Sequence, residues 1–217
     1  MSGGSIAPMT EDPPPDDREL VLGVLLETIG ATATPWIPIP FVDDWFLSRF
    51  LERITRKVLA RNAATVPENT PQLHDAIVAG YTSEGSSSLA VFAIVSLGRF
   101  LVRKLAVVLD VKKSHDLFGE SIAYALALDV AARKRLVHPL TARLLGRAIF
   151  RAVQGTGKGL VQSIARASQG VFASKKDAGD ASRRERFAAS IAGDLAKARA
   201  ELAAAVEREM KAPAPEA

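Results

Sequence analysis

The chain has 217 residues, 48% hydrophobic and 24% charged, with a formal net charge of +4. That length suits one domain with at most an appended element, and the composition allows a sizeable core. Cysteine is absent and histidine occurs only at positions 74, 115 and 138, which excludes disulfides, thiolate metal sites and cysteine nucleophiles and leaves His-based catalysis few candidates.

The first residues, MSGGSIAPMTEDPPPDD, have neither a basic n-region nor an apolar h-region, so they are not read as a secretory signal. Residues 1–16 are expected to be a disordered acidic tail. Asp16 or Asp17 then caps a first helix over about 17–31, carrying Leu20, Val21, Val24, Leu25 and Thr28. Three prolines keep TATPWIPIPF out of helix. Trp36, Ile37, Ile39 and Phe41 in that segment either pack on the next helix or form an exposed docking lip.

Asp43 and Asp44 cap a second, amphipathic helix over about 43–62, with Phe46, Phe50, Ile54 and Val58 four residues apart. A short helix is expected over about 71–80, a Ser/Gly loop at Thr82–Ser88, and an apolar helix over about 88–109. Its uncharged run, Gly85–Gly98, is 14 residues, short of the roughly 20 needed to cross a bilayer, and reads as a buried core helix. DVKKSHD reads as a turn, followed by a helix over about 116–136. Pro139 starts another helix that reaches Ser174, with weak points at Gly155, Gly157 and Gly159. After a polar linker, a last helix over about 182–211 carries Phe187, Ile191, Leu195, Leu202 and Val206 mostly on one face, as a helix-pairing stripe used in cis or in a dimer. Strand and hairpin signals are scarce. The expected fold is all-α: a compact bundle of six or seven helices over 17–174, with a linker and a protruding C-terminal amphipathic helix over 175–217.

Charge is unevenly spread. Residues 1–20 hold five acids and one arginine, whereas residues 130–176 hold ten bases and no acid. On a continuous helical wheel Arg143, Arg147, Arg151 and Lys158 share one quadrant, opposite Leu145, Ile149, Val153, Leu160 and Ile164. Such a basic face suits an anionic membrane surface or an acidic protein partner. Nucleic acid is disfavoured, because no aromatic platform interleaves with the bases. Gly155, Gly159, Ser163 and Ala167 recur every four residues and are expected to allow close helix approach.

Enzymatic motifs are incomplete. GTGKG at 155–159 lacks the first glycine and the Ser/Thr of a phosphate loop and follows a helical segment. His74-Asp75 and His115-Asp116 faintly resemble the metal-binding pair of HD-type phosphohydrolases. That pattern needs a histidine upstream and an aspartate downstream, which His74 and Asp129 or Asp177 could supply for the second pair alone; the apolar run before that pair is missing, and both pairs also suit surface helix starts. No GxSxG elbow is present. Catalytic residues, metal ligands and cofactors are therefore expected to be none.

The stretch PWIPIPFVDDWFLSRFLERITRKVLARN contains the turn Pro38-Ile39-Pro40-Phe41-Val42-Asp43 ahead of an amphipathic helix. Residues 36–62 thereby resemble the EcsC and YcjF-like (DUF697) helical families, which are tied to membranes or transport systems. The chain departs from them in its arginines after the turn and in its C-terminal helix. The resemblance implies membrane association and carries no catalytic residues. The leading expectation is a non-enzymatic protein, cytoplasmic or peripheral on the inner face of a membrane, that binds through its basic face. Two alternatives stand beside it. One is a soluble, oligomeric scaffold or regulator acting through its C-terminal helix, and the other a metal-dependent phosphohydrolase.

Overall fold

The computed structural model describes residues 17–33, 42–66, 69–98, 103–172 and 180–212. Among them the chain forms seven α-helices and no strand: α1 (Asp17–Ala33), α2 (Val42–Arg61), α3 (Pro71–Gly98), α4 (Arg103–Arg133), α5 (Ala142–Gly155), α6 (Lys158–Phe172) and α7 (Asp180–Lys211). The tail at 1–16, the Trp36–Phe41 lip and linker residues 173–179 lie outside the described residues.

Helix α4 is the axis of the bundle. Every residue from Ser121 to Ala132 is buried, so this stretch has neighbours on all sides. Its alanines at 123, 125, 127, 131 and 132 let α1, α2, α5, α6 and α7 all pack against it. Tyr124 is fully buried and meets Thr55 of α2, hydroxyl to hydroxyl at 2.6 Å. Its ring packs edge-on against Tyr81, which packs edge-on against Phe150 of α5.

Three expected boundaries are corrected. The Ser/Gly loop at 82–88 is helical, because Thr82 and Ser83 donate their hydroxyls to the carbonyls of Val78 and Gly80 one turn back instead of competing with the helix. DVKKSHD is also helical; it is polar but contains no glycine or proline to stop α4. Conversely, the helix after Pro139 does not run to Ser174. A 3₁₀ turn at Pro139–Thr141 leads into α5, and the chain breaks at Thr156–Gly157, where both backbone N–H groups converge on the Ala152 carbonyl. Lys158 therefore begins a different helix from Arg143, Arg147 and Arg151.

Nor does the C-terminal helix protrude. Phe187, Ile191, Leu195, Leu202 and Val206 are all fully buried against the chain's own helices. Phe118–Phe187, Asp129–Arg199 and Lys134–Glu207 contacts in rising order show α7 lying parallel to α4. The pairing stripe is consumed in cis, and the dimer version loses its surface.

Close helix approach is also placed differently from the sequence reading. A Cβ on Gly155 or Gly159 would meet nothing within 4 Å. Tight contacts lie instead between α3 and α5 at Gly80 and Gly146, where backbone touches backbone, and between α4 and α6, where a Cβ on Gly119 would lie 2.5 Å from the Val161 carbonyl oxygen.

Candidate anionic-surface site

The α4–α5 connection concentrates exposed charge and exposed apolar surface. α4 ends in a Schellman arrangement: Leu136 N–H reaches the Ala131 carbonyl and Arg135 N–H reaches that of Ala132. The residue this motif places in the left-handed region is normally glycine. Here it is Arg135, with φ 57°, the only non-glycine residue with positive φ among the described residues. An L-residue there costs about 1–2 kcal/mol, so an exposed guanidinium is held at this point against backbone preference.

The chain then turns through Val137 to Thr141. His138 Nδ1 accepts from Leu140 N–H, fixing the 3₁₀ turn. Leu140 at its crest is 90% exposed, and Leu144, one turn on, is 37% exposed. Arg143 lies between them in sequence and is exposed. Neither Arg135 nor Arg143 pairs with a carboxylate among the described residues. No acid occupies the first turn of α5, and its N-cap Thr141 makes no side-chain cap, so its N-terminus adds positive potential to the same corner.

Of the four bases expected to form one face, Arg143 and Lys158 are exposed, whereas Arg147 and Arg151 turn towards carboxylates. Arg151 donates through Nε at 3.3 Å and Nη2 at 3.1 Å to the two oxygens of Glu84 on α3. It also approaches Glu209 of α7 at 3.9 Å. Arg147 Nε lies 3.8 Å from the same Glu84, too far to hydrogen-bond, and has no hydrogen-bond partner. The face is thus divided, with a free half next to Leu140 and a neutralised half beside α3. Arg135 and Leu140 escape sequence reasoning, because LVHPL has no periodicity. The signal available was three consecutive bases, Arg133-Lys134-Arg135, running straight into a leucine-rich turn.

The remaining candidates do not assemble into one centre. His74 is buried, and its Nε2 donates to Asn69 Oδ1. Burial, then the nearby Arg56, holds its imidazole below the ordinary value of 6.5. Asp75, its neighbour, is exposed and lines a shallow cavity of about 280 Å³ with Ser48, Arg49, Glu52 and Thr82. Among the described residues no three His, Asp or Glu side chains are grouped to share a metal ion; the His115 side chain lies outside them. Gly155–Gly159 forms the α5–α6 break, with a helix before it where a phosphate loop needs a strand.

A second charged cluster ties the bundle together. Asp129, 1% exposed on α4, accepts from Asn62 Nδ2 at 2.9 Å, Arg199 Nη1 at 2.8 Å and Arg133 Nε at 3.1 Å. Arg199 also donates to Asp17 at the start of α1, its Nε at 3.1 Å. Burial pushes the Asp129 carboxyl up, but these donors and the charges of Arg199 and Arg133 outweigh it and hold it below the usual carboxylate value. Every partner is satisfied internally, so this cluster fastens α1, α2, α4 and α7 together.

No helix among the described residues is long and apolar enough to cross a membrane. No protein-family model, curated protein or solved structure matches the chain.

Proposed function

We propose that the protein is a non-enzymatic, peripheral membrane protein that binds anionic lipid surfaces through its α4–α5 corner. The carrying observation is Leu140, 90% exposed in a turn flanked by Arg135 and Arg143, which pair with no carboxylate among the described residues. A lone exposed leucine is ordinary. A leucine crest between two unpaired guanidiniums, one of them held in a strained backbone conformation, has the form of an interfacial anchor. Leu140 and Leu144 enter the headgroup region while Arg135 and Arg143 pair with lipid phosphates.

Magnitudes set the character of the binding. Each base near an anionic surface is worth about 1 kcal/mol, and fully burying one leucine about 1.5–3 kcal/mol. Two bases and one leucine give about 3.5–5 kcal/mol, which is weak, reversible and salt-sensitive attachment. Co-sedimentation with phosphatidylcholine vesicles, with and without phosphatidylserine, at two salt concentrations tests it. Wild type should pellet only with the anionic vesicles, less at high salt, and Leu140→Asp combined with Arg143→Gln should stay in solution. Equal binding to neutral vesicles, or no binding to anionic vesicles at low salt, would overturn the proposal.

A further inference from the structure

We infer that Glu84 sets how acidic a membrane must be for binding, by holding Arg147 and Arg151 out of the lipid-facing surface; this rests on the membrane reading above. Arg143, Arg147 and Arg151 succeed one another at four-residue steps along α5 and so share one side of that helix. Of the three, only Arg143 has no carboxylate against it among the described residues. One carboxylate serves the other two: it grips Arg151 with two hydrogen bonds and lies 3.8 Å from Arg147. Glu209 approaches Arg151 from the opposite side at 3.9 Å and is itself 3.8 Å from Arg208.

Both arginine side chains remain about one-third exposed, 39% for Arg147 and 34% for Arg151. They are close enough to solvent to turn outwards without unpacking the core. The position of Glu84 follows from the helix crossing. It sits on α3, which α5 meets through the Gly80–Gly146 contact, and Ile77–Gly146, Tyr81–Phe150 and Glu84–Arg151 follow in parallel register. The helix crossing therefore aims Glu84 at the centre of a basic strip whose own helix carries no acid, with Glu209 of α7 at one side of Arg151. Strongly anionic surfaces can outcompete a single carboxylate that is itself 25% exposed; weakly anionic ones meet only Arg135 and Arg143. The apparent affinity then rises more steeply with anionic lipid content than two fixed bases would give.

The test is a double-mutant cycle on the full chain: wild type, Glu84→Gln, Arg151→Gln and the double variant, titrated with phosphatidylcholine vesicles of rising phosphatidylserine fraction. Glu84→Gln should bind about fivefold more tightly per charge released, the equivalent of about 1 kcal/mol, with a steeper salt dependence. Arg151→Gln alone should change little, because its charge is already opposed by Glu84, yet in the Glu84→Gln background it should remove about half of the gain, Arg147 supplying the rest. If Arg151→Gln weakens binding equally in both backgrounds, the charges act additively and the masking role is overturned while membrane binding stands. If Glu84→Gln alone binds, the wild-type membrane reading falls and the masking role is kept. Failure of all four to bind any vesicle overturns both.

Discussion

Gly80 and Gly146 face each other across the α3–α5 crossing with no room for a side chain on either. A Cβ on Gly80 would lie 2.1 Å from the Arg143 carbonyl oxygen, and one on Gly146 would lie 2.0 Å from that of Ile77. Because the obstruction is backbone, only movement of a whole helix relieves it. Gly80→Ala and Gly146→Ala should each destabilise by about 1–3 kcal/mol, lowering the thermal midpoint by about 2–4 °C per kcal/mol. Gly193→Ala on α7, where nothing lies within 4 Å, should instead stabilise by about 1 kcal/mol through helix propensity. Thermal unfolding followed by circular dichroism separates the two. Similar losses at all three positions would contradict the packing described.

Arg135 predicts stability and binding moving in opposite directions. Glycine accepts a φ of 57° without strain, so Arg135→Gly should raise stability by about 1 kcal/mol. The same change removes one base from the proposed lipid contact and should weaken vesicle binding about fivefold. Chemical denaturation and co-sedimentation on one preparation check both signs. A loss of stability would mean that Arg135 is retained for packing.

Removing Arg199 should be costly. Asp129 and Asp17, 1% and 8% exposed, would face each other without their shared cation. Breaking such a pair costs about 3–5 kcal/mol, most of it from the buried charge left behind. Arg199→Met should lose that much in urea unfolding, whereas Arg199→Met with Asp129→Asn should lose less than the sum of the single changes. Strict additivity would show that the two side chains do not depend on each other.

The same cluster and His74 fix the acid side of the stability profile. His74 has a native value below 6.5, so in the window just below 6.5 the unfolded chain holds more protons than the folded one. Stability therefore falls as pH drops through that window, and His74→Gln should flatten that part of the curve. Asp129, held below its ordinary 3.8, contributes stability above that value and loses it as pH falls towards the native value. Asp129→Asn should remove this lower limb. Unfolding free energies measured across both windows test the signs, and stability that rose on acidification would refute them.

Much of the architecture is legible from apolar spacing. The spacing of Leu20, Val21, Val24, Leu25 and Thr28 places the buried face of α1, and that of Phe187, Ile191, Leu195, Leu202 and Val206 places the buried face of α7. What the pattern does not contain is the partner. The α7 stripe looks the same whether it meets its own bundle or a second chain. Continuity is also misread where polarity stands in for a helix stop. Thr82 and Ser83 satisfy their hydroxyls within α3, and Lys112-Lys113-Ser114 carry nothing that breaks α4. The candidate site was half visible. Its bases show in a count of charges, but the neutralisation of Arg147 and Arg151 by Glu84, 67 residues before Arg151, exists only in three dimensions.

The bond between Asp17 and Arg199 joins residues 182 positions apart. On the ribosome, α1 and α4 are made before α7, so the fully buried Asp129 must wait for Arg199 to emerge before it gains that partner. The apolar faces that α7 covers, Phe118 of α4 among them, stay uncovered for the same interval. Folding of this bundle is therefore completed only after α7 has been made, and a nascent chain stopped before α7 exposes both an unpaired acid and an open core. A message truncated ahead of residue 180 would yield a client for chaperones and proteases rather than a shorter working domain.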